Sequence, residues 1–237
     1  MEQRVMERTS ELSRANESLS REVGERKRSE RREQDRNEIL TALASGEDLA
    51  GILNLIVKYF DAENPEWVCS ILMVDDSGKR LLHGAAHNLP EFFNKAINGL
   101  RIGEDVVSFG RAAHAGRIAV TDDIRADPSW DAFRDQAERA FLRACWAVPV
   151  FSAKGRVVAV FAVYCREPRK PRDEDLERIK MAAGLVSLAI ERKHSEDALQ
   201  KSHEDLEERV RQRTAELTRA NEALRAEIDG RKRAEQK

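Results

Sequence analysis

The chain has 237 residues, 35% of them charged and only 5% aromatic, and a formal net charge of −2. That balance gives no electrostatic reason to expect nucleic acid. No apolar run approaches the ~18 residues of a membrane span, and the polar start does not resemble a secretory signal peptide.

In chain order, helix is expected from the amino terminus to about Ala44, with Gly46 interrupting it. Residues Glu47 to Asp61 place Leu49, Ile52, Leu53, Ile56, Val57 and Phe60 on one face of a second helix, which Asn64-Pro65 ends. Trp67–Val74 reads as a strand, Asp75–Gly78 as a hairpin turn and Lys79–His87 as the return strand. Pro90 opens a short helix through Ile97, a loop covers Gly99–Asp105, and a small helix covers Val106–Ala115 up to Gly116. Ile118–Thr121 is a short strand. Asp127 suits the N-cap of the next helix, with Pro128 in its first turn. Arg143–Phe151 and Arg156–Cys165 are apolar without polar alternation, so both are expected to be central strands covered on both faces. A last helix starts near Asp173 and runs to about Ala234, on the order of 90 Å at 1.5 Å per residue.

The two ends repeat each other. Between 2–30 and 207–235, 17 of 29 positions are identical. Val5, Leu12 and Leu19 recur every seven residues, as do Val210, Leu217 and Leu224; Thr9, Asn16 and Val23, and Thr214, Asn221 and Ile228, fall four residues later. A narrow apolar seam with Asn at one a position favours a parallel two-stranded coiled coil in fixed register. After Leu206 the spacing through Val210, Thr214 and Leu217 runs four, four, three, a stutter that locally unwinds a left-handed supercoil. The expected organisation is a coiled-coil helix over 1–38, a globular domain over 39–191 and a second coiled-coil helix over 192–237. Cys69, Cys145 and Cys165 sit inside apolar runs without metal spacing, which suits packed thiols in a reducing cytoplasm.

The middle segment resembles a GAF domain, the small-molecule-sensing relative of PAS domains. The resemblance rests on Ile39–Gly46 with the helix after it, Ser70–Asp75, Leu82–Ala86 and Ser108–Gly116. Its most specific part is Asp123–Trp130, Arg143–Trp146 and Val157–Tyr164. The flanking segments look like linkers that join GAF and PAS modules in bacterial sensor histidine kinases and cyclic-di-nucleotide enzymes. The resemblance implies an α+β fold: a central antiparallel sheet, a helical layer, and a pocket roofed by residues from about 88 to 135. Close relatives often carry a small residue or Cys where Phe109 stands, so Phe109 is expected to fill part of that pocket.

Candidate ligand-binding residues are Phe109, His114, Asp123, Asp127, Trp130, Arg134, Cys145 and Trp146, because the Asp123–Trp130 loop should face the sheet end carrying Cys145. The structural alternative is that Asp127 caps its helix while Trp130 and Trp146 close the core. His87 and His114 are conceivable haem ligands, but a single histidine of this kind is more often structural; no cofactor or metal is assigned. His194 lacks the surroundings of a phospho-acceptor, and no P-loop, helix-turn-helix or cyclase motif occurs. The expectation is a non-enzymatic, cytoplasmic, parallel homodimeric sensor. It would couple a small-molecule or redox input to an output domain such as a histidine kinase or cyclase, with the seam at Val5, Leu12, Asn16, Leu19, Val210, Leu217, Asn221 and Leu224. The alternatives are a GAF-type free-methionine sulfoxide reductase, which needs a reactive thiolate, and a ligand-free dimerisation spacer.

Overall fold

The computed structural model describes residues 36–235, together with Val23, Arg26, Glu33 and Gln34; the seam positions Val5, Leu12, Asn16 and Leu19 lie outside the described residues. The chain divides into two compact units at Glu191 and Arg192.

The first unit is built on a six-stranded sheet in the order β3-β2-β1-β6-β5-β4. Its strands are β1 (Trp67–Val74), β2 (Arg80–Ala86), β3 (Leu100–Arg101), β4 (Ala119–Thr121), β5 (Ala144–Phe151) and β6 (Val157–Cys165). All neighbouring pairs are antiparallel. The three central strands lack polar alternation because helical layers cover both of their faces. The β1–β2 turn is tied by the Asp75 carboxylate, which accepts from the backbone N–H groups of Lys79 and Arg80 at 2.9 and 3.0 Å. β1 and β2 slip register between Ile71 and Leu72. Gly84 lies opposite this irregularity, where a Cβ would stand 2.9 Å from the Ile71 carbonyl oxygen.

One face of the sheet is covered by α1 (residues 36–45), α2 (Leu49–Glu63) and the first turns of α6 (Asp173–Glu235). Ile39 and Leu43, then Ile52, Ile56 and Phe60, then Ile179, Val186 and Ile190 bury against it, at the three-and-four spacing that defines a helical stripe. Asp48 caps α2 by accepting from Gly51 N–H at 3.0 Å. The start of α6 is held by Arg169. Its guanidinium bonds Asp175 at 2.6 Å and Glu66 at 2.5 Å and lies 4.9 Å over the Trp146 ring, while its N–H donates to the Asp122 carbonyl at 3.0 Å.

The other face carries the roof: α3 (Glu91–Ile97), α4 (Ser108–Ala115), a 3-10 turn (Pro128–Phe133) and α5 (Arg134–Arg139). Gly116 ends α4 at φ +61°. The helix expected after Asp127 is split, because Trp130 N–H bonds the Asp127 carbonyl three residues back and so winds the first turn tightly. α5 ends in a Schellman motif: Leu142 N–H reaches Ala137 O at 2.9 Å and Phe141 N–H reaches Glu138 O at 3.0 Å. Its left-handed position holds Phe141, at φ +57°, instead of glycine.

The second unit, described by itself, is helical over residues 192–235. Leu199, Leu206, Val210, Leu217 and Leu224 are 57–73% exposed. Surface pairs one turn apart, such as Lys193–Asp197 and Arg213–Glu216, decorate the rest. Among the described residues no helix is long and apolar enough to cross a membrane.

Candidate functional site

The roof meets the sheet at a buried polar cluster. On β4, Thr121 stands opposite Cys145 of β5, so both side chains point to the roof. Ser108 and Arg111, three residues apart on α4, share a helix face and reach the same point. The Ser108 and Thr121 hydroxyls lie 2.7 Å apart, and the Thr121 hydroxyl donates to Asp127 Oδ2 at 2.7 Å. Arg111 Nη2 donates to Thr121 Oγ1 at 3.0 Å and to Asp127 Oδ2 at 3.1 Å; Trp130 Nε1 donates to Thr121 Oγ1 at 3.3 Å. A hydroxyl has one proton and two lone pairs. With its proton on Asp127, Thr121 offers two acceptor positions to three donors. Asp127 Oδ1 accepts from Ser129 N–H at 2.9 Å, the cap expected from sequence. Burial pushes the Asp127 carboxyl up, but its hydrogen bonds from Ser129 and Thr121 and the Arg111 charge outweigh it and hold the group below the usual carboxylate range.

Below this cluster the roof-side core is aromatic. Phe109 is fully buried, edge-on to Trp130 with ring centres 5.9 Å apart and to Tyr164 at 6.4 Å; Tyr164 meets Phe93 at 5.5 Å. The Tyr164 hydroxyl lies 3.4 Å from that of Ser70. Phe109 therefore occupies the space between sheet and roof. All three thiols are buried. Burial pushes Cys145 and Cys69 far up and Cys165 up to about 12, which leaves little nucleophilic thiolate at neutral pH.

Of the residues singled out from sequence, Phe109, Asp127, Trp130 and Cys145 come together. Trp146 does not: adjacent strand residues face opposite ways, so it packs on the helical side against Trp67, with ring centres 6.1 Å apart. Asp123 is engaged by Arg143 at 3.0 and 3.1 Å. Arg134 pairs with Asp131 one turn away. His114 is exposed at the end of α4, and His87 is exposed beyond β2. Ser108, Arg111 and Thr121 escaped the sequence reading. Their only signals were the three-residue spacing on a short helix and the alternation along β4. Among the described residues no group of three or more His, Cys, Asp or Glu side chains is placed to hold a metal ion.

A family model for the GAF domain matches residues 46–191. The chain belongs to the GAF domain family. It is 38% identical over 181 residues to the methyl sulfide methyltransferase-associated sensor of Methanosarcina acetivorans, an overlap that covers 76% of this chain and 18% of that protein. The chain thus spans about a fifth of that relative's length. A methyl-accepting chemotaxis protein, residues 122 to 287, superimposes with a TM-score of 0.53 at 25% identity, over 64% of this chain and 94% of that one. The free methionine-R-sulfoxide reductase of Neisseria meningitidis, in complex with its substrate, gives 0.54 at 19% identity, over 67% of this chain and 87% of that one. This last likeness is one of fold alone. The sheet and roof described above are those of the family.

Proposed function

We propose that this GAF domain is the input half of a parallel homodimer and passes a ligand-dependent change through its flanking helices to an output domain. The output is a histidine kinase or cyclase, in the same chain or another, and the module itself is non-catalytic and cytoplasmic. The observation that carries this is the apolar ladder Leu199, Leu206, Val210, Leu217 and Leu224, exposed on a helix with no core of its own. An isolated helix gains its stability in water from packing an apolar face, and a heptad ladder packs best on a copy of itself. The sensor relative and the chemotaxis protein add support from their names. Burial of all three thiols favours a small-molecule input over a redox one and speaks against reductase chemistry.

Phe109, Asp127, Trp130 and Cys145, with Ser108, Arg111 and Thr121, are the residues assigned to sense that input. A ligand shifts the helix equilibrium only by its preference for one packed state, typically ~1–3 kcal/mol. The test is disulfide trapping of Leu206→Cys, Val210→Cys and Leu217→Cys, with sedimentation of the unmodified chain. A dimer that crosslinks at equivalent positions is expected. A monomer at working concentration, or crosslinks only between opposite ends, overturns the reading.

A further inference from the structure

A cleft opens outside the aromatic core. It has a volume of about 340 Å³ and is lined by Glu104, Arg111, His114, Arg117, Ile118 and Val120, with Ala115 and Ala119. It runs along the last turn of α4 and the edge strand β4, and its volume is at the lower end for small-molecule sites. Its charge is distinctive. Arg111 is 31% exposed here, and through Nη2 it is also the residue that holds Thr121 and Asp127. Its Nε is buried and has no hydrogen-bond partner, so the exposed part of the guanidinium is what the cleft presents. Arg117 and Glu104 are both exposed, and neither forms an ion pair or side-chain hydrogen bond among the described residues. With Asp127 answering Arg111, the site balances two guanidiniums against two carboxylates. A simple anion would meet Glu104 and a simple cation would meet Arg117. A molecule carrying both charges close together satisfies each.

We propose that the cleft binds a small amphoteric ligand, an α-amino acid or close analogue. Its carboxylate lies on Arg117 and the exposed part of the Arg111 guanidinium, its ammonium on Glu104, and its side chain along Ile118 and Val120. This rests on the sensory reading above and names its ligand class. The site also has a built-in readout. A carboxylate on Arg111 competes with Asp127 for the same guanidinium, so occupancy alters the donors around Thr121 and, through Trp130 Nε1, the aromatic roof.

The test uses the full chain. The proteinogenic amino acids are screened by thermal shift, and the strongest is titrated calorimetrically beside its amide and its N-acetyl derivative. Saturable binding is expected, weakened about tenfold when either charge is removed, the scale of one charge-assisted hydrogen bond. Arg117→Ala, an exposed residue without a partner to orphan, should weaken binding by about the same factor. Glu104→Gln should bring the amino acid and its N-acetyl form to equal affinity. Lys58→Ala, exposed on α2 across the sheet, should bind like the unaltered chain. Absence of saturable binding, an amide or N-acetyl form that binds as well as the parent, or Arg117→Ala with unchanged affinity overturns the proposal. The dimer measurements stand apart from these, so a failed cleft leaves the helical reading intact and the reverse also holds.

Discussion

Replacing Phe109 with alanine should open the space between sheet and roof. The side chain is fully buried and makes edge contacts with Trp130 and Tyr164 at 5.9 and 6.4 Å. Truncating a buried phenylalanine costs about 3–5 kcal/mol, the transfer free energy of the ring plus the cavity left behind. The two edge contacts, each about 0.5–1.5 kcal/mol beyond area, place this site toward the upper end. For a domain of this size 1 kcal/mol corresponds to roughly 2–4 °C in Tm, so a fall of about 6–20 °C is expected. Phe109→Leu, which keeps most of the apolar volume, should lose far less. Thermal and urea unfolding at one fixed protein concentration measure both. The emptied site is apolar, so benzene or indole should raise the Tm of Phe109→Ala and leave the parent unmoved. A loss under about 1 kcal/mol would mean the ring is not wedged as described and would refute the reasoning.

Thr121→Val keeps the shape but strands the Ser108 hydroxyl and Trp130 N–H and takes one hydrogen bond each from Arg111 and Asp127, so it should lose about 2–4 kcal/mol by urea unfolding, more than one hydrogen bond's worth. Asp127 is held below the ordinary carboxylate range. Its stabilising effect is therefore complete above the unfolded value near 3.8 and vanishes as pH falls through the lower folded value. Asp127→Asn should flatten that acid limb in a pH series of urea midpoints; an unchanged limb would count against the pairing. Asp61 acts in the opposite sense, because burial raises its carboxyl despite hydrogen bonds from Cys69 and Asn88. Stability from this group falls as pH rises from the unfolded value through the folded one, a slope that Asp61→Asn should remove. Arg169→Ala leaves the buried Asp175 carboxylate short of a partner, so amide exchange in the first turns of α6 should accelerate. Exchange at the parent rate would show that Arg169 does not hold the helix start.

The sheet was legible because its signals are local. An eight-residue apolar run and an Asp-Asp-Ser-Gly turn place β1 and the start of β2 without knowledge of anything else, and the apolar spacing of Ile52, Ile56 and Phe60 gives α2. The polar cluster was not legible, because Ser108, Thr121 and Asp127 meet through a fold-back that no short window contains. Period-two geometry already separates Cys145 from Trp146, so the grouping of the two followed chain proximity where strand alternation should have ruled. Phe141 gave no warning at all. A left-handed helix end advertises itself when glycine fills it, and a phenylalanine there reads as one more apolar residue.

The order in which the sheet is covered bears on how the domain comes into being during synthesis. Its helical face is closed by α1 and α2, made before any strand, and by the segment around Ile179, Val186 and Ile190, made after the last one. A nascent chain released only as far as Cys165 has every strand but leaves part of that face bare, including the side of Trp146 that Arg169 covers. Closure thus awaits the residues up to Ile190, and a fragment ending at β6 should expose apolar surface and aggregate. The same helix that runs on beyond the domain is thus also the piece that completes its core.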